Sequence, residues 1–466
     1  MITSIFGLDK YKAFLLLACL LVLCSLSAFA LNKPVLASPL LVTGFISTCF
    51  AMRGYPKLRG YTYTMWIFTA VAIALSYPRY FQSYDGYKLS GLIAPLLQII
   101  MFGMGSHMNL KDFSGVLKMP KGVMVGLLCH YTLMPLIGYS IAKIFGFPPE
   151  IAVGIILVAC TPSGMASNVM VFLGKGNLAL AITVTAFSTM ISPLLTPLLL
   201  KLFAGQMVHV NVIEMVMEIV KMVLLPIVAG LSFNNVFFGR VKLKSLYWQM
   251  SVFLLLIITK NVIVFFALNV SLGHVLTSLF WDSLIFFVLP PLAGLLFKHF
   301  AGGDPKLLSR ILSLMSQVGL IIITVIIVAN GYDTLLSRWG LLLVPAMLLH
   351  NCCGYFSGYW FCRLILMKEQ DCRAITFEVG MQNGGMASAM AVKLQGMEQM
   401  ARQTSNPGLK SFDLAIIGTG FPIPAAVFSP IQNITGSVLA MWFRNKPINE
   451  KFDTKEYQYI NSNKLY

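Results

Sequence analysis

The chain is dominated by apolar runs of about twenty residues, the length a helix needs to cross a bilayer's hydrocarbon core at roughly 1.5 Å per residue. They fall at 12–31, 35–52, 62–82, 89–108, 121–146, 150–173, 177–204, 211–238, 246–270, 278–300, 308–331, 337–366, 370–396 and 412–444. Backbone polar groups find no water in hydrocarbon, so such runs fold as helices rather than as loops or open strands. Composition agrees: 57% of the 466 residues are hydrophobic and 11% charged, with a mean hydropathy of +0.79. Soluble domains carry about 25% charged residues. A soluble enzyme, a soluble binding module and a disordered chain are excluded. The expected fold is an all-α polytopic membrane protein of about fourteen helices.

A net charge of +17 would suggest nucleic acid for a soluble chain. In a membrane protein it is the placement that matters, because Lys and Arg collect in cytoplasmic loops. With the N-terminus inside, alternate loops hold Lys10 and Lys12; Arg53, Lys57 and Arg59; Lys111, Lys118 and Lys121; Lys175; Arg240, Lys242 and Lys244; Lys298, Lys306 and Arg310; Arg363, Lys368 and Arg373; and Arg444, Lys446, Lys451, Lys455 and Lys464. These are about 23 of the 34 basic residues, against about 9 on the other side. Lys221 and Lys260 lie within runs. The expected placement is multi-pass in the cell (inner) membrane, with both termini cytoplasmic. The first run keeps a second reading open. Lys10 and Lys12 precede an apolar stretch, and Ala28-Phe29-Ala30 has the small-x-small form of a signal-peptidase site. Cleavage there would leave the later topology unchanged. The nine cysteines lie mostly inside apolar runs, which indicates packing rather than disulfides or a metal site.

Fourteen helices divide into seven plus seven. An odd number per half inverts the second half relative to the first, a common plan among secondary transporters. The sixth run of each half is interrupted. One reads Val-Ala-Cys-Thr-Pro-Ser-Gly-Met-Ala-Ser-Asn over 158–168, the other Phe-Glu-Val-Gly-Met-Gln-Asn-Gly-Gly-Met-Ala-Ser over 377–388. Paired interruptions at matching positions point to a transport site. A shorter echo, residues 224–231 (Leu-Leu-Pro-Ile-Val-Ala-Gly-Leu) against 288–295 (Val-Leu-Pro-Pro-Leu-Ala-Gly-Leu), is as readily explained by chance among Leu/Pro/Gly-rich helices.

Pro162 removes a backbone donor and Gly164 tolerates non-helical dihedrals, so a break there frees carbonyls at mid-membrane. Ser167, Asn168 and Thr185 add oxygens, and Gly380, Gly384 and Gly385 open the second break beside Glu378. An isolated carboxylate at that depth costs at least about 2.5–3.5 kcal/mol, so it is paired or functional. Hard cations such as Na⁺ take oxygen ligands, as Ca²⁺ and Mg²⁺ do. Half-helix N-termini favour an anion nearby. The bland alternative is small-residue helix packing around a protonated glutamate. It does not account for Glu, Gln and two Asn around paired breaks.

The run from Cys160 to Met170, with Gly176-Asn177 after it, resembles the bile acid:sodium symporter family, in its bacterial members. So do Met101-Phe102-Gly103-Met104-Gly105, Lys221-Met222-Val223-Leu224-Leu225-Pro226, His350-Asn351 and Glu378-Val379-Gly380-Met381-Gln382-Asn383. The motifs span about residues 62 to 444 in order. The resemblance implies an inverted-repeat transporter fold of ten helices. A panel domain and a core domain pack together, and two broken helices cross in the core. This chain would add about four helices, about 14 in total. The divisions are an additional hairpin over 1–61, the first repeat over 62–204, panel-type helices with an inserted pair over 205–306, the second repeat over 307–446, and a polar cytoplasmic tail over 447–466.

The resemblance also implies two sodium sites. The first would use Ser167, Asn168, Thr185 and Glu378. The second would use Glu378, Gln382, the carbonyls of Val379 and Met381, and position 130. Asn383 and Asn433, with Gln432 beside it, fall where the family contacts substrate. The chain departs from the pattern at three places. Ala181 stands where a Ser ligand is expected, His130 where a Gln is expected, and Gln432 where a His is expected. His130 is either a satisfied packing residue or a proton-carrying replacement for part of the second site.

The expected function is sodium-coupled import of an organic anion, a bile acid or a small carboxylate such as pantoate or a keto acid, by alternating access. Na⁺ is the coupling ion and no cofactor is expected. The partners are the anion, Na⁺ and the bilayer, with the chain a monomer or homodimer and no nucleic acid bound. Two alternatives remain, a proton-coupled carrier using His130 and a non-transporting membrane sensor. An integral membrane enzyme is disfavoured because the six histidines are scattered and acids are few.

Overall fold

The computed structural model describes residues 10–55, 58, 61–108, 115–208, 210–238, 243–268, 270–300, 304–405 and 419–447. Each apolar run holds helix. In chain order these are α1 (Lys10–Ala30), α2 (Pro34–Met52), α3 (Thr62–Ser76), α4 (Ile93–His107), α5 (Pro120–Ile144), α6 (Pro149–Cys160), α7 (Ala166–Leu173), α8 (Leu178–Ala204), α9 (212–238), α10 (Leu243–Leu268), α11 (Leu272–Phe300), α12 (Pro305–Asn330), α13 (Arg338–Leu364), α14 (Glu369–Gly380), α15 (Gly384–Ser405) and α16 (Ile423–Arg444). Among the described residues, eight helices are individually long and apolar enough to cross a membrane. The chain is an all-α polytopic membrane protein. The tail over 447–466 lies outside the described residues save for Pro447, as do 412–418 of the last run.

The run 62–82 is not one helix. It stops at Ser76, and a short helix Pro78–Gln82 follows. Pro78 lacks the amide hydrogen that would continue α3, and it sits at the favoured first position of the new helix. Ser83–Tyr84 then pairs antiparallel with Tyr87–Lys88 around the turn Asp85-Gly86. Asp-Gly is a strong two-residue hairpin signal.

The helices pack as two bundles. In the first, α4 lies against α9 and α12, α3 against α12, the α1–α2 hairpin against α3, and α10–α11 beside α9. At Gly105 of α4 an added Cβ would lie 2.0 Å from the Ile227 carbonyl oxygen, so only glycine allows this approach of α4 to α9. In the second bundle, α5 and α13 pack together, α6 and α8 lie on α5, and α14 and α16 lie on α13. The bundles meet where α8 touches α9 and where α15 and α16 touch α3, α4 and α12.

The short echo in the sequence is a structural repeat. Both α9 and α11 contain a π turn, Val220–Leu224 and Ser283–Val288, immediately before the Leu-Pro step. The wider turn accommodates a proline ring that would otherwise meet the carbonyl four residues back. The offset of 64 residues, from Leu225 to Leu289, continues into the next helices. Lys242-Leu243 and Ser245 match Lys306-Leu307 and Ser309, and Leu256-Ile257-Ile258 match Leu320-Ile321-Ile322. The matched π turns and the common offset mark α9–α10 and α11–α12 as similar helical hairpins.

Lys260, the charge within α10, is paired. Its Nζ donates to Asp282 Oδ2 at 2.7 Å and to Ser278 Oγ at 3.1 Å. Asn261 Nδ2 and Ser278 Oγ donate to the same Asp282 oxygen. The two charged side chains are 6% and 3% exposed, so the pair is desolvated and holds α10 to α11.

Candidate ion and substrate site

Helix α6 stops at Cys160 and α7 resumes at Ala166; α14 stops at Gly380 and α15 resumes at Gly384. The two breaks cross. Ser163 and Gln382 form an antiparallel bridge, with Gly164 N donating to Met381 O at 3.1 Å and Asn383 N to Pro162 O at 2.8 Å. A Cβ on Gly164 would sit 2.6 Å from the Gln382 carbonyl oxygen, so a side chain there would separate the strands.

The carbonyls freed by the breaks have protein partners, which hydrocarbon surroundings demand. Cys160 O accepts from Thr196 Oγ1 at 2.8 Å, and Thr161 O faces His130 Nε2 at 2.8 Å. Glu378 O faces His130 Nδ1 at 2.9 Å, Val379 O accepts from Gln382 Nε2 at 2.8 Å, and Gly380 O from Asn351 Nδ2 at 2.8 Å. Gln432 closes the second break from α16. Its Oε1 accepts from Gln382 N at 2.8 Å and its Nε2 donates to Gln382 O at 3.1 Å.

Beside the crossing lies Glu378, fully buried. Ser167 Oγ donates to one carboxylate oxygen and Thr185 Oγ1 to the other, the latter at 2.8 Å. Asn168 Nδ2 reaches Thr185 Oγ1 at 3.4 Å. Ser167, Asn168, Thr185 and Glu378 therefore form one connected cluster drawn from α7, α8 and α14. Among the described residues no Lys or Arg pairs with Glu378; its hydrogen-bond partners are neutral hydroxyls. Two amide oxygens in the neighbourhood, Asn168 Oδ1 and Gln382 Oε1, are buried without a hydrogen-bond partner. An orphaned buried acceptor is costly unless something outside the protein satisfies it. One carboxylate, two hydroxyls and two unpartnered amide oxygens make the kind of oxygen set that a hard cation takes.

The remaining residues singled out in the sequence are distributed as follows. Val379 O and Met381 O each already accept one hydrogen bond, from Gln382 Nε2 and Gly164 N. His130 sits between the two breaks with both ring nitrogens on carbonyl oxygens. Asn383 Oδ1 accepts from Met386 N at 3.0 Å at the start of α15, while Asn433 Nδ2 donates to Ser429 O of its own helix at 2.8 Å. Asn351 holds the second break from α13 and accepts from Thr435. His350-Asn351 stood in the sequence as a motif without a role; the position of Asn351 supplies one. The support from Thr196 carried no signal in the sequence.

Known proteins are similar to this chain in sequence. The model of the Sodium Bile acid symporter family matches residues 94–273. An uncharacterized sodium-dependent transporter of Bacillus subtilis, YocS, is 30% identical over 395 residues, 85% of this chain and 94% of its own length. The chain belongs to the Sodium Bile acid symporter family. The probable sodium/metabolite cotransporter BASS1, chloroplastic, of Arabidopsis thaliana is 28% identical over 352 residues, 75% of this chain and 66% of that one. The human ileal sodium/bile acid cotransporter is 25% identical over 306 residues, 65% and 69% of the two chains. These relatives are sodium-dependent transporters, not enzymes, and as a family member this multi-pass membrane protein is a transporter too.

Proposed function

We propose that this protein is a symporter in the cell membrane that uses Na⁺ entry to import an organic anion, with both termini cytoplasmic. The observation that carries the reading is the buried Glu378, with hydroxyls such as those of Ser167 and Thr185 and, among the described residues, no cation for partners, beside two unpartnered amide oxygens. Na⁺ entering this oxygen set is coordinated by Glu378, the Ser167 and Thr185 hydroxyl oxygens and Asn168 Oδ1. The hydroxyls now donate to Glu378; to serve the ion they turn their lone pairs toward it. The ion thus adds a tie among α7, α8 and α14 to the bonds that already hold the crossing. Of the substrate regions, Asn383 lies in the second break just before α15, and Gln432 and Asn433 lie on α16, with Gln432 bonded to the crossing. The bundle of α5–α8 and α13–α16 is the core domain, and the bundle around α4, α9 and α12 is the panel. Alternating access is movement of one against the other. In this reading α5–α8 and α13–α16 are the inverted halves of the core, and α1–α2 with one hairpin of α9–α12 are the four helices beyond the ten; the two crossing breaks, one in each set, support it. The substrate class is a bile acid or a small carboxylate such as pantoate or a keto acid.

A second reading concerns the ion count and rests on His130. A neutral imidazole has one donor, so one of its nitrogens would point a lone pair at a carbonyl oxygen; an imidazolium donates to both. In this reading a proton on His130 stands in for the second sodium. Glu378 and His130 then cancel, and one Na⁺ leaves a net positive charge to attract the anion. Electrogenic uptake in proteoliposomes, measured as charge and ²²Na⁺ per anion, tests both readings. One Na⁺ per anion in the wild type, rising toward two in His130→Gln, is expected. Two Na⁺ in both proteins would remove the second reading and leave the first intact.

A further inference from the structure

Between the two bundles, on the side where α9 begins and α15 ends, lies a cavity of about 220 Å³ lined by Ile93, Glu214, Met222, Lys393, Met397 and Met400 among others. Its walls are apolar apart from few groups, and one of those is a cation. Lys393 of α15 reaches across to α9, with Nζ 2.8 Å from Glu218 Oε1 and 3.6 Å from Glu214 Oε1. Glu214 and Glu218 share one face of α9, four residues apart, where like charges repel unless a cation lies between them. Asn211 fixes that turn by accepting from Glu214 N at 3.2 Å.

We infer that Lys393 is the anion-recognising residue of this cavity, and that Glu214 and Glu218 are place-holders for the carboxylate of the transported substrate. The inference rests on the symporter reading and deepens it, because it adds a charged contact away from the Glu378 crossing. The similar hairpins give the comparison that supports it. Glu218 of α9 corresponds to Asp282 of α11 at the 64-residue offset, and each acid holds a lysine. The Asp282–Lys260 pair joins helices of one bundle, is buried, and is backed by Asn261 and Ser278. The Glu218–Lys393 pair joins two bundles, lies at a cavity, and leaves Lys393 31% exposed. At that exposure Lys393 is within reach of a ligand entering the cavity. When the bundles part, Lys393 loses both carboxylates and takes the one group of the same chemistry that the carrier is built to move. The methionines supply a soft, adaptable apolar wall for the rest of the ligand. The cavity of about 220 Å³ has room for a short carboxylate.

The test is Na⁺-dependent uptake of labelled pyruvate, pantoate and taurocholate by the full-length chain in proteoliposomes, with Na⁺-induced thermal stabilisation read in parallel. Lys393→Met is expected to raise the half-saturation concentration for pyruvate or pantoate at least tenfold and to leave the Na⁺ stabilisation unchanged. Lys393→Arg should stay within about threefold of wild type. Glu214→Gln combined with Glu218→Gln should lower half-saturation, because the competing carboxylates are gone. An unchanged half-saturation in Lys393→Met overturns the inference. So does an equal loss in the double Gln variant, which would make the ion pair a structural tie. Uptake of taurocholate with neither short acid overturns the assignment of a short carboxylate. A wild type that moves anions without Na⁺ overturns the symporter reading instead, and the effect of Lys393→Met on anion uptake still decides the inference.

Discussion

Replacing the Glu378 carboxylate by an amide would leave one of the Ser167 and Thr185 hydroxyls without its acceptor and the oxygen cluster without its charge. Glu378→Gln is therefore expected to lose the rise in Tm that NaCl gives over KCl, while far-UV circular dichroism still reports a helical protein. Retained Na⁺-specific stabilisation in that variant would place the ion elsewhere. Gly164→Ala drives a methyl group into the Gln382 carbonyl. Overpacking of this kind costs about 1–3 kcal/mol, so the variant should melt lower in detergent with or without Na⁺. At this scale the sequence spoke clearly where chemistry was local. Ser167, Asn168 and Glu378 stand beside Pro and Gly in interrupted apolar runs, and no packing role asks for that combination. It was silent where chemistry was made by distance. His130 meets carbonyls 31 and 248 residues away, and Gln432 closes a break 50 residues away; neither spacing leaves a periodic trace.

The helices themselves were legible, because hydrocarbon thickness dictates their length and the positions of their loops follow. The breaks in the sixth and thirteenth runs were legible from Pro162 and from Gly380 with Gly384. The run 62–82 misled because hydropathy continues through Tyr77-Pro78 although the backbone cannot; Pro78 and the Asp85-Gly86 pair were the overlooked signals. The hairpin similarity was legible only in fragments, since apolar helices share a small alphabet; matched π turns at the same Leu-Pro step raise it above chance. The hairpins carry a prediction of their own. Asp282→Leu alone leaves Lys260 buried without its counter-charge, a loss of about 3–5 kcal/mol in comparable pairs, whereas replacing both partners with apolar residues is often neutral. Thermal melts in detergent should show a large drop for Asp282→Leu and recovery in Asp282→Leu with Lys260→Met. A double variant as unstable as the single one would give the pair a role beyond holding α10 to α11.

Across the whole molecule, two bundles meet along α8, α15 and α16 on one side and α3, α4, α9 and α12 on the other. The oxygen cluster around Glu378 lies within one bundle, and that bundle's broken helix α15 carries Lys393 to the boundary with the other. In the proposed mechanism one element links ion binding to access, because Na⁺ at the crossing would act on the same helix that faces the cavity. Lys393 was invisible in the sequence as a site residue. It falls inside the run 370–396, and its partners lie on a helix more than 170 residues earlier. The fold's division into bundles is likewise a property of packing, which hydropathy does not encode. The measurement that bears most directly on this account is accumulation of labelled pantoate and taurocholate in proteoliposomes under an imposed Na⁺ gradient, for the wild type and Glu378→Ala. The account predicts accumulation of one of the two above its external concentration, driven by Na⁺ and not by K⁺, and abolished by the substitution. Accumulation that survives in Glu378→Ala, or that is the same with K⁺ in place of Na⁺, would contradict it.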